Sequence, residues 1–355
     1  LGDFDHEAQA FGLATPLGIN STTGVSGLTL GGGFGWLTRK YGMTVDNLHS
    51  VDIVTADGVL RHASADENSD LFWGIRGGGG NFGIVTAFEF ELHEVGPEVL
   101  AGPLVYAHDD ATDVLQNVRT FNESTPEGLV VWAVMRKAPP MPFLDASVVG
   151  SDVVILLACY AGEVADGERL LAPLREFGDP LGDGIGPHQY AEFQQAFDPL
   201  MTPGGRNYWK SHNLGELSDE AIAIAVEYAS NLPSDQSEIF FGQVGGAMGR
   251  VPADATAYPH RDARYVLNVH TRWEDPARDE ECIDWARTFY DEMAPHALGG
   301  VYVNFISDRE GQESLAYGEN YDRLAQLKQR YDPENVFRTN QNVTPAAEGQ
   351  PAQDA

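Results

Sequence analysis

Between Gly24 and Gly35 the chain GVSGLTLGGGFG carries six glycines, at Gly24, Gly27, Gly31, Gly32, Gly33 and Gly35, where most elements would carry side chains. Bare backbone at that density marks a place that something approaches closely, and a ligand is the first expectation. A second cluster, Arg76–Val85 (RGGGGNFGIV), lies a short way downstream. Gly78, Gly80 and Gly83 spell G-x-G-x-x-G, but that fingerprint must open a helix, and Ile84–Leu92 (IVTAFEFEL) alternates as a strand does. A Rossmann site is therefore excluded. Gly24-Val25-Ser26-Gly27 lacks the spacing of a nucleophile elbow, and the chain has no H-E-x-x-H or C-x-x-C for a metal. The glycines predict a cradle for a ligand, not a nucleophile.

Four ordered blocks extend this pattern: TTGVSGLTLGGGFGWLTRKYGMTVDNL, VDIVTADG, DLFWGIRGGGGNFGIVTAFEFEL and, far downstream, YGENYDRLAQLKQRYDPENVFRTNQNV. Together they resemble the FAD-linked oxidases of the vanillyl-alcohol oxidase superfamily, in the berberine-bridge-enzyme-like branch. The resemblance implies FAD as cofactor and a discontinuous FAD-binding domain whose N-terminal subdomain is apparently missing, since Leu1 opens within an ordered segment. It implies a cofactor cradle of Thr22, Thr23, Gly24, Val25, Gly27 and Gly31, with Gly83, Ile84 and Val85 facing the adenine half. Asn340 and Asn342 in the closing block would meet the flavin ring, the alternative for both being an asparagine-rich turn. Counting back from Gly31, the place of a second tethering cysteine falls on Asn20, which implies no second covalent bond.

The 355 residues suit two domains with a sizeable core. Acidic residues outnumber basic ones 53 to 22, a net charge of −31, which would repel nucleic acid and anionic membranes. The basic residues are mostly Arg, with Lys only at Lys40, Lys137, Lys210 and Lys328, and the surface has the composition of a salt-adapted, halophilic protein. The longest apolar runs, such as Val153–Cys159, fall far short of the ~20 residues that cross a bilayer, and no signal-peptide pattern opens the chain. Cys159 and Cys282 both sit in apolar patterns and read as core residues of a cytoplasmic protein.

From Pro97 onward, Val130–Arg136, Val153–Tyr160, Ile239–Gln243, Tyr265–Arg272 and Gly300–Ile306 read as strands. Asp166–Phe177, Tyr190–Phe197, Ser218–Asn231 and Asp279–His296 read as helices. The fold class is α+β: the flavin domain with an inserted substrate domain of antiparallel sheet covered by helices. Residues 1–96 form the second part of the flavin domain, 97–310 the substrate domain, 311–345 the segment returning to the flavin domain, and 346–355 a disordered tail. Tyr317 matches where related oxidases place a catalytic tyrosine, and is the first candidate for a general base; the alternative is a packing tyrosine. On the expected strand GGVYVNFIS, Tyr302 and Asn304 are two apart and share a face, as do Asn268 and His270 on YVLNVHTRW. These four would present polar groups to one pocket, or else form the solvent side of a sheet. His212 is a looser candidate. The expected activity is FAD-dependent oxidation of an alcohol or amine-type carbon of a sugar or secondary metabolite, with electrons passing to oxygen or another acceptor. The alternative is a truncated or decayed flavoprotein that binds a metabolite or partner without catalysis.

Overall fold

The computed structural model describes residues 1–307, 313–338 and 341–347. Two antiparallel sheets organise it. The smaller is built from Leu48–Thr55, Leu60–Ser64 and Gly83–Phe90, with Leu48–Thr55 in the middle. Its hairpin turns at Ala56-Asp57-Gly58, where Gly58 adopts φ +75°, as the A-D-G pattern predicts. Helices Ser69–Ile75 and Tyr321–Tyr331 pack on this sheet, and Leu71, Phe72 and Trp73 are buried core residues.

The larger sheet has eight strands. In spatial order they are Gly186–Gln189, Glu98–Ala107, Asp152–Tyr160, Leu129–Lys137, Glu238–Gln243, Tyr265–Trp273 and Arg206–Leu214, with Gly182–Asp183 also pairing with Glu98–Ala107. Strand alternation sends side chains to two separate cores. Val131, Ala133 and Met135 join helices Ala111–Ser124, Val164–Arg175, Asp219–Ala229 and Asp279–Met293 on one face. Val130, Trp132 and Val134 face Phe34, Trp36 and Leu37 on the other. Burial on both faces explains why these strands are near-continuous apolar runs. Ser218 caps its helix, its Oγ accepting from the Ala221 N–H at 3.1 Å.

Four of the five expected strands of this region form, but Gly300–Ile306 does not. Gly299 and Gly300 take φ +83° and +72°, and Val303–Phe305 is a 3-10 turn. The segment runs beside the edge strand Arg206–Leu214 and bonds to it through the Tyr302 N–H on Ser211 Oγ and, at Ser307, through the Ser307 N–H on Trp209 O and the Trp209 N–H on Ser307 Oγ, not through a continuous ladder. Tyr302 enters the core around Phe34 while Val301 enters the core of the small sheet. Bridging two cores, the chain turns where a strand would have run straight. Arg206–Leu214 and Glu98–Ala107, whose polar residues and Pro103 hide the alternation, are strands that sequence pattern missed, as is helix Ala111–Ser124.

Candidate active site

Where the two sheets and the closing segment meet lies a cleft of about 1490 Å³, larger than the roughly 300–1,000 Å³ of an ordinary small-molecule pocket. It has room for a dinucleotide and a second molecule. Both glycine clusters reach it, and they divide by what each glycine meets. Gly24 and Gly27 line the cleft, and a Cβ on either would meet no protein atom within 4 Å. Gly79, Gly80 and Gly83 line it from the second cluster, although a Cβ on Gly83 would also strike Val54 O at 2.4 Å. The other glycines serve the protein: a Cβ on Gly32 would strike the Tyr258 ring, one on Gly77 the Tyr258 backbone at 2.4 Å, and one on Gly33 the Thr44 hydroxyl. Gly31 lines the cleft but is bare because Asn304 lies against it.

Helix Val25–Leu30 starts at Gly24 and presents Thr23, Gly24, Ser26 and Gly27 to the cleft. Val25 is half-buried and does not line it, and Thr22 is exposed with its hydroxyl donating to Asn20 Oδ1 at 2.6 Å. Gly83, Ile84 and Val85 all line the cleft from the start of their strand. In the closing block Gln341 and Phe337 line it, whereas Asn342 does not, its Oδ1 being buried without a partner among the described residues. Asn340 lies outside the described residues. These bare backbone surfaces on a large cleft fit a flavin dinucleotide.

Tyr302 and Asn304 meet in the cleft, although not by strand alternation. Asn304 Nδ2 donates to the Tyr302 hydroxyl at 3.0 Å and to Leu28 O at 3.1 Å, and the Gly33 N–H donates to the same hydroxyl at 3.2 Å. Both lone pairs of the phenol are occupied, so its own proton is the one left to give. Burial pushes the Tyr302 phenol up to about 12, against the pull of Asn304 and the Gly33 and Phe34 amides. Phe34 and Phe305 each pack edge-on against the Tyr302 ring with centroids at 5.0 Å, which holds it in place.

Tyr317 is buried and reaches the cleft wall, but its hydroxyl donates to Gln341 O at 3.1 Å. Asn81 Nδ2 beside it donates to Gly78 O and Gln341 O, and the Val343 N–H returns to Asn81 Oδ1. Lys328, wholly buried, pairs with Asp332 at 2.6 Å and donates to Asn81 O and Phe337 O. Tyr317 thus belongs to a buried polar strap joining the second glycine cluster to the closing block.

On the large sheet, Asn268 faces the cleft with Oδ1 buried and unpartnered. His270 sits behind the surface, Nε2 on Asn207 Oδ1 at 3.0 Å and Nδ1 at 3.4 Å from Glu238. His212 stacks on Tyr290 and donates to Tyr290 O, a packing role. Arg136 and Glu238, which sequence reasoning did not single out, join at 2.6 Å on the cleft floor. They are 102 residues apart, and only the strand register brings them together. Gln341 was passed over for its asparagine neighbours.

Residues 1–64 match a family described as FAD binding domain, and residues 301–344 one described as berberine and berberine like. An FAD-linked oxidoreductase of Aspergillus terreus is 31% identical over 97% of this chain and 73% of its own length. The (R)-6-hydroxynicotine oxidase of Paenarthrobacter nicotinovorans is 30% identical over 97% of this chain and 75% of its own. The solved berberine bridge enzyme of Eschscholzia californica superposes with a TM-score of 0.85 at 24% identity, covering 99% of this chain and 76% of that one, a likeness of fold.

Proposed function

The chain belongs to the berberine-bridge-like FAD-linked oxidoreductases, and from that premise we propose that it oxidises an alcohol or amine-type carbon of a secondary metabolite, with Tyr302 as the proton-handling group. It is an FAD-dependent oxidoreductase; the substrate and the base are the parts proposed. Bound FAD supplies a two-electron acceptor for a hydride from the substrate carbon. The glycine surfaces at Gly24, Gly27, Gly79, Gly80 and Gly83 would hold it, with Thr23, Ile84, Val85 and Gln341 beside them. Thr22, Val25 and Asn342 stand off the cleft and drop out of the proposed contacts. Oxygen or another small acceptor reoxidises the protein.

The observation that carries the assignment is that Tyr302 lines the cleft and has two N–H donors aimed at its hydroxyl oxygen. Those donors favour the phenolate but do not offset burial, so Tyr302 stays a phenol near neutral pH and would take a substrate hydroxyl's proton only as it hands its own on to solvent. Tyr317 has spent its proton on Gln341 O, and we give it a positioning role. We place the flavin-binding part in residues 1–96 and 311–345, supported by the shared core of the small sheet and helix Tyr321–Tyr331, and the substrate part in 97–310.

Tyr302→Phe keeps the ring packing and removes the hydroxyl. Anaerobic flavin reduction by substrate should fall by roughly 10²–10⁴-fold while the flavin absorbance near 450 nm is unchanged. Reduction at the wild-type rate would remove Tyr302 from the chemistry, and a protein that stays colourless with added FAD would remove the oxidoreductase reading for the chain by itself.

A further inference from the structure

The register of the large sheet places Arg136 opposite Glu238, Glu238 opposite His270, and His270 opposite Trp209. These four form one row across four strands, and Arg136, Glu238 and Trp209 line the cleft. The next row, two residues on, is Val134, Phe240, Asn268 and Ser211, and Ser211 Oγ holds the Tyr302 N–H at 2.8 Å. From Ser211 to Glu238 is two strand spacings across and two residues along, roughly 12 Å of sheet surface. A body of about two rings spans that interval.

At the far end of the interval stand one strong donor and one strong acceptor with no net charge. Arg136 donates Nη1 to Glu238 Oε2 at 2.6 Å and Nε to Lys137 O at 3.3 Å. Its Nη2 makes no hydrogen bond among the described residues. Glu238 Oε1 has only the long contact to His270 Nδ1 at 3.4 Å. Burial would raise the Glu238 carboxyl, but Arg136 and His270 outweigh it and hold it ionised, below the usual range. His270 is itself fixed: Asn207 Nδ2 donates to Gly205 O, which turns Asn207 Oδ1 toward His270 Nε2 and Arg272 Nη1. Phe240 stands in the next row of the sheet, and Phe143, Phe197 and Leu200 are among the apolar residues that line the same cleft.

Each ligand chemistry meets this pair differently. A carboxylate could take the free Arg136 donor but would face the Glu238 charge, and an ammonium would pair with Glu238 but face Arg136. An apolar end would strip water from both and replace neither hydrogen bond. A hydroxyl accepts from Nη2 and donates to Oε1 together. We propose that the substrate is a flat, largely apolar molecule whose far end bears an uncharged hydroxyl seated between Arg136 and Glu238. This rests on the reading of the Tyr302 end as the oxidation site, which fixes which end is far.

The test is calorimetric titration of the FAD-loaded protein at pH 7 with four probes of one shape: 2-naphthol, 2-naphthoate, 2-naphthylmethylamine and 2-methylnaphthalene. The wild type should bind 2-naphthol at least tenfold more tightly than the other three. In Glu238→Gln the guanidinium loses its counter-charge, and 2-naphthoate should become the tightest of the four. The proposal is overturned if 2-naphthol does not bind, if naphthoate or the amine matches it on the wild type, or if Glu238→Gln leaves the order unchanged. Should that variant fail to fold, the wild-type ranking decides. No turnover is involved, so the ranking can fail with Tyr302 chemistry intact, and the Tyr302→Phe result can fail with the ranking intact.

Discussion

Two tyrosines on the same cleft differ in what their hydroxyls face, and on that difference rests the proposal that Tyr302 is the reactive group and Tyr317 a structural one. The Tyr302 oxygen receives two N–H donors, whereas the Tyr317 proton is bound to a carbonyl. A third buried group, Asp5, matters for stability. Burial raises its carboxyl to about 6 from 3.8, with the Gln194 Nε2 donor pulling the other way, and its Oδ1 has no partner. Because the folded value lies above the unfolded one, the protein takes up a proton on folding between those pH values. The contribution of Asp5 is fully present below about pH 4 and lost as the pH rises through about 6. Asp5→Asn should therefore raise unfolding stability at pH 7 by up to about 3 kcal/mol and flatten its dependence between pH 4 and 6. Urea unfolding at pH 4, 5, 6 and 7 checks both parts; an undiminished slope in the variant would assign it to other groups.

Helices and turns around the glycine clusters show why one residue type does two jobs. Gly77, at φ +118°, gives way to the Tyr258 backbone, so Gly77→Ala should cost about 2 kcal/mol or more and lower the melting temperature. Gly24, at φ −72°, has open space where a Cβ would stand. Gly24→Ala should leave the apoprotein's melting temperature unchanged while weakening FAD retention, read by absorbance after gel filtration. Equal loss of stability in both variants would show that the two classes of glycine are one. The segment at Gly300–Ile306 teaches a related lesson. Its alternation of polar and apolar residues matches a strand, yet its apolar side chains divide between two cores, Tyr302 and Phe305 entering one and Val301, Val303 and Ile306 the other, with Asn304 turned back on Tyr302. A short alternating run does not distinguish those cases.

Across the whole molecule, a net charge of −31 makes self-repulsion a standing cost of the compact state. The screening length falls from ~8 Å at 0.15 M salt to ~3 Å at 1 M, so the melting temperature should rise steadily between those concentrations of KCl. A flat or falling curve would mean that the ion pairs of the fold already offset the repulsion. Within that frame, much was legible from residue order alone. The glycine clusters, the closing block and the apolar runs of the large sheet specify the family, the cofactor and the two-sheet α+β plan, because each is written in contiguous residues with local geometric needs. What only the tertiary structure decided is which groups meet: Tyr302 with Gly33, Arg136 with Glu238, Tyr317 with Gln341. Those pairs are set by strand register and by which core each side chain enters, and both depend on partners far away in the chain, where no local pattern records them.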